Sequence, residues 1–383
     1  DEDSRASDSD GKDLPDDPEG MLSLHDHLDA YGFLIGSEKS NQLQAAENRA
    51  AAGSAGSDDE DEMGALPGPS AEALHEREKS QRKLIKKWVK ITKAWTEKGA
   101  TATLKSVGHD KLRKLIYKGI PNHVRAGVWR CISGILDMKE AHAGEYEQLL
   151  TRPVSKGDGH QLDVDINRTN RTHFLFKERY GQGQISLFSI LHAYIMYDPG
   201  VGYCQGMSDL TSLMMQYLAE EEAFWMLVRF MKDPLFNMAG RFENGFKDLK
   251  RSWYVHDKLV ALMLPRLHAV LSGAQIEAAH YTIKWYLKCF LDALSFDIVL
   301  RIWDVFLLEG SDVLYSFVIT LLKYHEPSIL AMDQGELLMS LPAIKGPPTS
   351  VSVDAWLKEV KKNPIKTKII RNLEAEFEAA WPA

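Results

Sequence analysis

Apolar and polar positions repeat with a helical period along most of this chain. Leu84, Trp88, Ile91 and Trp95 fall at +4, +7 and +11, one stripe of one helix. Lys83, Lys86, Lys87, Lys90 and Lys93 occupy its other faces. Such a helix either packs its tryptophans on a domain or lies on a membrane surface; no lipid-anchor motif accompanies it, which favours packing. Beyond it, the pattern predicts helices over 124–136, 184–197, 205–218, 220–231, 241–254, 256–272, 276–294, 296–308 and 311–324. Phe224, Leu227, Val228 and Met231 show the three-and-four spacing. The breakers between helices are Asp198-Pro199-Gly200, Asp233-Pro234, Ser272-Gly273, Gly310 and Glu326-Pro327. Pro265 lies inside one predicted helix and is expected to kink or split it. Alternating β-branched runs are scarce, so the body is expected to be all-α, with short loops and non-bundle packing. After Lys345-Gly346-Pro347-Pro348, residues 351–379 predict one or two terminal helices anchored by Trp356, Val360, Ile369 and Leu373. No repeat of fixed period is present. The best apolar stretch, Val313–Leu322, is half the ~20 residues a membrane span needs.

Charge divides the chain in two. Residues 1–70 hold 18 acidic and 4 basic side chains, a balance of −14. With −8 for all 383 residues, residues 71–383 carry +6. The leader is rich in Asp, Ser, Gly and Pro, and over 1–20 and 37–70 it has too little to bury to offset ordering, so it is expected to be mostly disordered. An apolar island at 28–35, Leu28-Asp29-Ala30-Tyr31-Gly32-Phe33-Leu34-Ile35, interrupts it. It is either a docking segment or residual hydrophobicity in a tail. Three cysteines, Cys131, Cys204 and Cys289, rule out a disulfide scaffold and a zinc pattern, pointing to a reducing, intracellular compartment. The acidic start carries no signal peptide, and the missing initiator Met is what a fragment of a longer protein would show.

Common chemistries find little support. His25-Asp26-His27 and His256-Asp257 lack the further convergent ligands a metal hydrolase needs. No G-x-x-x-x-G-K-[ST] loop occurs, and Gly181-Gln182-Gly183-Gln184 lacks the context of a dinucleotide fingerprint. Cys204 sits in a polar turn without an assignable base, so a structural thiol is expected there. Two segments stand apart. Leu162-Asp163-Val164-Asp165-Ile166-Asn167-Arg168-Thr169-Asn170-Arg171 alternates apolar anchors, as an extended or turning segment would, with Asp165 three before Arg168. That pair is either a held functional arginine or a surface ion pair, usually worth little. Asp198-Pro199-Gly200-Val201-Gly202-Tyr203-Cys204-Gln205-Gly206-Met207 surrounds Tyr203 and Gln205 with glycines before a helix. It is either a presenting turn or a plain connection in which Tyr203 fills a gap.

These two segments resemble the I-x-x-D-x-x-R and Y-x-Q-G segments of the TBC family of Rab GTPase-activating proteins. Here they stand as Leu162-x-x-Asp165-x-x-Arg168 and Tyr203-Cys204-Gln205-Gly206. Lys118-Gly119-Ile120-Pro121 followed by Arg125-x-x-x-Trp129, and Arg301-Ile302-Trp303-Asp304, extend the resemblance over roughly 115–345 in family order. Leu162 replaces the usual isoleucine, and Asn167 and Arg171 stand where some relatives carry proline.

The resemblance implies an all-α, multi-helix TBC fold; with the charge and periodicity above, four parts are expected: an acidic leader at 1–70, a basic helix and connector at 71–117, a catalytic domain at 118–345 and a helical extension at 346–383. It implies acceleration of GTP hydrolysis by a GTP-bound Rab. Arg168 would serve as arginine finger and Gln205 as glutamine finger, the latter orienting the attacking water. Asp165, Tyr203 and Gly206 would pose the fingers, and Arg125 would join a supporting polar network. Arg171 is the rival arginine, and Trp129 and Trp303 are expected in the core. GTP and Mg²⁺ would belong to the partner, so no cofactor or metal of its own is expected. No nucleic-acid partner is implied; membrane association would be indirect, and the place of action the cytoplasm or a vesicle surface. The other reading is a non-catalytic TBC-fold Rab-binding scaffold or effector; both fingers being present favours catalysis. Competition of the acidic leader for the positive body predicts autoinhibition.

Overall fold

The computed structural model describes residues 28–37, 39–41, 44, 71–243 and 245–381. Among them no β-strand forms; isolated bridges join Leu28 to Leu34 and Phe33 to His173. The helices run α1 (Ala71–Lys98), α2 (Ala100–Val107), α3 (His109–Ile116), α4 (Asn122–Ser133), α5 (Ile135–Ala141), α6 (Glu145–Leu150), α7 (Lys156–Ile166), α8 (Phe174–Lys177), α9 (Gln182–Tyr197), α10 (Met207–Met215) and α11 (Glu220–Lys232). A 3₁₀ turn at Ala239–Arg241 precedes α12 (Lys247–Met263), α13 (Pro265–Gly273), α14 (Ala279–Leu287), α15 (Phe296–Glu309), α16 (Asp312–Ile329), α17 (Gln334–Ser340), α18 (Val353–Lys362) and α19 (Thr367–Ala380).

The predicted stripe of α1 packs inward. Trp88, Ile91 and Trp95 are buried, and the Trp88 indole donates to the Gly119 carbonyl at 3.0 Å, tying α1 to the start of α4. Its lysines face water. The centre belongs to α15 and α16, which are apolar on nearly every face and so must be enclosed. Trp303 of α15 stacks on Trp129 of α4 at 5.9 Å and meets Phe230 of α11 at 5.4 Å. Both tryptophans are fully buried. The terminal helices cover the outside: Trp356 of α18 packs on Phe317 of α16, and Phe377 of α19 on Tyr254 of α12.

Several expected boundaries move, each for a local reason. The break near residue 255 does not exist: α12 runs through it, because buried His256 lies on its inner face. The chain breaks instead at Leu264 (φ −133°, ψ 59°), the residue forced out of the helical region by Pro265, which opens α13. The helix predicted to reach 294 stops at Leu287. Cys289, Phe290 and Asp292 adopt positive φ, and burial of Phe290 against Trp285 overrides helical propensity. Pro327 does not end α16; in the last turn it removes a single helical donor, and Leu330 N–H still bonds the Glu326 carbonyl at 2.9 Å. The stretch from Leu162 to Ile166 is the end of α7 rather than an extended segment, and Gly157 and Gly159 lie inside that helix. Leu162 and Ile166 are buried at i and i+4, while Val164 is exposed.

Candidate functional site

The site is built where the end of α7 meets the start of α10. Ser155 caps α7, accepting from Asp158 N–H at 3.1 Å. Leu162 and Ile166 fix its last turn in the core, which directs Asp165 inward to near-complete burial. The helix then tightens: Arg168 N–H bonds the Asp165 carbonyl and Thr169 N–H the Ile166 carbonyl, at 3.2 and 3.1 Å. Asn170 takes a left-handed φ of 50°, which asparagine tolerates better than most residues, and turns the chain away.

Asp165 is the hub. Its Oδ1 accepts Arg168 Nε and Nη2 at 3.0 and 2.7 Å, and its Oδ2 accepts the Tyr203 hydroxyl at 2.6 Å. The pair is not an ordinary surface ion pair: the aspartate side chain is 4% exposed and the arginine 58%. Nη1 of Arg168 has no hydrogen-bond partner among the described residues, so the guanidinium is oriented yet keeps donors for something else. Burial, then the bond to Asp165, push the Tyr203 hydroxyl above its ordinary pKa, so it stays a donor at neutral pH. A second tie crosses nearby, where the Thr169 and Ser208 hydroxyls share a hydrogen bond at 3.0 Å. Ser208 lies in the first turn of α10.

Gly206 precedes α10 at φ 105°, a conformation a Cβ would strain. It starts the helix at Met207, two residues later than predicted, and leaves Gln205 outside it and exposed. Behind Gly206, Lys288 pairs with Asp209 of α10 and lies 3.7 Å from Asp292.

The other candidates fall elsewhere. Arg125 is buried and its hydrogen bonds do not reach Asp165, Arg168 or Tyr203. Asp304 accepts its Nε and Nη2 at 3.0 and 3.3 Å and the Trp129 indole at 2.8 Å. Nη2 also donates to the Ile120 carbonyl at 2.7 Å, and Nη1 to Asn122 Oδ1 at 2.6 Å. The motif residues Ile120, Arg125, Trp129 and Asp304 therefore form one network joining α4 to α15. Arg171 is exposed, with no hydrogen-bond partner among the described residues. Cys204 is half-buried, and burial raises its thiol pKa, the opposite of an activated nucleophile. His256 sits between the Tyr281 and Tyr286 hydroxyls at 2.7 and 2.9 Å; burial lowers its pKa to about 3. No cluster able to hold a metal ion occurs among the described residues. His25 and His27 lie outside them.

What sequence reasoning missed is the connection between the two segments. Nothing in the spacing joins Tyr203 or Ser208 to the end of α7; the one available signal was an aspartate flanked by core residues, which must find partners.

Comparison with known proteins places the chain in a family. The family model of RabGAP-TBC, the Rab-GTPase-TBC domain, matches residues 122–330. The chain belongs to that family. It is 28% identical over 328 residues to mouse TBC1 domain family member 10A, covering 84% of this chain and 57% of the relative. It is 29% identical over 311 residues to mouse Carabin, covering 79% and 65%. The chain thus spans less than two thirds of the length of these relatives. Among solved structures, the Chlamydomonas flagellar RabGAP TBC domain superposes with a TM-score of 0.62 at 23% identity, covering 88% of this chain and 99% of that one. The Ypt/Rab-GAP domain of Gyp1p gives 0.56 at 18% identity, covering 67% and 92%. These likenesses show the fold.

Proposed function

We propose that this chain accelerates GTP hydrolysis by a GTP-bound Rab-family GTPase, supplying Arg168 and Gln205 in trans. Family membership supports the activity, and the observation that supports the residues is the Asp165 hub, which orients an exposed arginine while anchoring the turn that presents an exposed glutamine.

The chemistry asks for these residue types. As the γ-phosphoryl group transfers, charge builds on its oxygens and on the bridging oxygen. A guanidinium meets that charge without deprotonating, and Arg168 keeps unused donors to do so. The Gln205 amide accepts from water through its oxygen and donates to phosphate through its nitrogen, which aligns an in-line attack. GTP and Mg²⁺ come with the partner. Asp165 and Tyr203 are positioning residues, and Gly206 sets the turn. Arg125 supports the site at a distance, by holding α4 on α15. The +6 balance of residues 71–383 favours encounter with a nucleotide-bearing surface.

The test is phosphate release from a panel of GTP-loaded Rabs. The chain is expected to accelerate at least one, and Arg168→Ala to remove roughly 10³–10⁵ of that acceleration. Gln205→Ala is expected to lower it severely. Retained activity in Arg168→Ala would overturn its role. Binding to GTP-loaded Rabs with no acceleration of any would make the chain a scaffold.

A further inference from the structure

The apolar island of the leader does not hang free. Phe33 is fully buried between the His173 ring at 5.1 Å and Phe296 of α15 at 4.9 Å, both edge-on. Tyr31 packs on Phe296 as well, at 5.8 Å. The backbone pairs with the segment that follows Arg168: Leu34 N–H donates to the Thr172 carbonyl at 2.9 Å, and Phe174 N–H to the Gly32 carbonyl at 3.0 Å. Gly32 is required there, since at φ 85° a Cβ would stand 2.8 Å from the His173 and Phe174 rings. Asp29 Oδ1 closes the turn by accepting from Tyr31 and Phe33 N–H, both at 2.9 Å.

A few residues on, Lys39 Nζ donates to Asn170 Oδ1 at 3.1 Å and pairs with Asp292 at 3.0 Å. Asn170 is the left-handed residue two positions after Arg168. Asp292 continues to Lys288, and Lys288 to Asp209 of α10, just beyond Gln205 and Gly206. The leader therefore touches the arginine segment directly and the glutamine turn through a chain of three charges.

We infer that residues 28–37 and 39–41 form a positioning strap for the reaction proposed above: Phe33 wedges the strap against α15, its backbone pins the segment after Arg168, and Lys39 couples that segment to the Gln205 turn. Helix α7 holds the arginine segment on its upstream side, and the strap holds it downstream. The inference rests on the proposed roles of Arg168 and Gln205. It reverses the sign expected from electrostatic competition, because losing this part of the leader lowers activity.

The experiment uses the full chain and three variants, Phe33→Ala, Phe33→Leu and Lys39→Met. Two readouts are taken: hydrogen exchange at the Leu34 and Phe174 amides, and kcat and KM for a GTP-loaded Rab the parent chain accelerates. In Phe33→Ala, both amides are expected to lose protection and kcat to fall at least about tenfold, with KM changed far less. Phe33→Leu is expected to recover part of both. Lys39→Met removes no core side chain, so its kcat loss separates positioning from unfolding. Unchanged exchange in Phe33→Ala overturns the strap. Lost protection with unchanged kcat overturns its positioning role. If the parent chain accelerates no Rab, the functional reading fails, while the exchange data still decide whether the strap exists.

Discussion

Two arginines in this molecule are each held by an aspartate, and the difference between them is instructive. Arg125 and Asp304 are 6% and 0% exposed, and nearly every donor of the guanidinium is taken by protein. Arg168 and Asp165 are 58% and 4% exposed, and one guanidinium nitrogen is left without a partner among the described residues. In the first pair both charges are enclosed, and the arginine is bound into the fold. In the second only the carboxylate is enclosed, so it becomes a fixed mount on which a solvent-facing cation is aimed. Residue type and pairing are the same; exposure of the arginine decides whether the guanidinium is used up within the fold or keeps a donor facing solvent.

The contrast breaks most visibly when each arginine is removed. Arg168→Ala is expected to cost about 4–7 kcal/mol of transition-state stabilisation, the equivalent of the arginine-finger range. Its unfolding free energy should fall by only about 1–3 kcal/mol, the cost of leaving the buried Asp165 Oδ1 without its partner. Arg125→Met should do the reverse: with Asp304 left buried without its cation, a loss of about 3–5 kcal/mol of stability is expected in urea unfolding. Residual activity should then follow the folded fraction. A stable Arg125→Met chain lacking turnover would move Arg125 into the reacting site.

Tyr203→Phe sharpens the comparison further, because it alters the mount without touching Arg168 or Gln205. It strands Asp165 Oδ2, a buried carboxylate oxygen, at a cost of about 1–3 kcal/mol. Among the described residues, the hydrogen bond between Thr169 and Ser208 would still join the α7 and α10 segments. A fall in kcat beyond what the lost folded fraction explains, read by single turnover at saturating GTPase, is the expected result. Activity per folded molecule equal to the parent would mean that the link carries stability alone.

How much of this was legible in the chain depended on sequence distance. The Trp88, Ile91 and Trp95 stripe and the apolar lengths of α15 and α16 announce buried helices, because local period determines them. Asp165 and Arg168 are three apart, so their pairing could be named in advance. Tyr203 lies 38 residues from Asp165, and Asp304 179 from Arg125, so only the fold brings them together. The reversal at Cys289, Phe290 and Asp292 was unreadable for a related reason: a ring drawn into a distant core sets the backbone there. The island at 28–35 was visible as an anomaly, but its partner, the segment 172–174, was not.

The smallest expected effect concerns pH and the mount's downstream side. His173 uses both ring nitrogens as a neutral imidazole: Nδ1 accepts from Leu175 N–H at 3.2 Å, so the proton sits on Nε2, which faces the Tyr31 carbonyl at 3.0 Å. Burial first, with Lys39 adding to it, lowers its pKa from 6.5 to about 4, against weaker opposing pulls from the Tyr31 carbonyl and Asp29. The unfolded or undocked chain then binds more protons than the docked one between these values. Stability from this group is fully present above about pH 6.5 and is lost as pH falls toward 4, at up to about 1.4 kcal/mol per pH unit. Exchange at the Phe174 amide should therefore show greater opening between pH 6.5 and 4 than the chemistry of exchange alone predicts. His173→Gln, which has no titrating group, should flatten that excess. An excess that survives His173→Gln would assign the opening to another group.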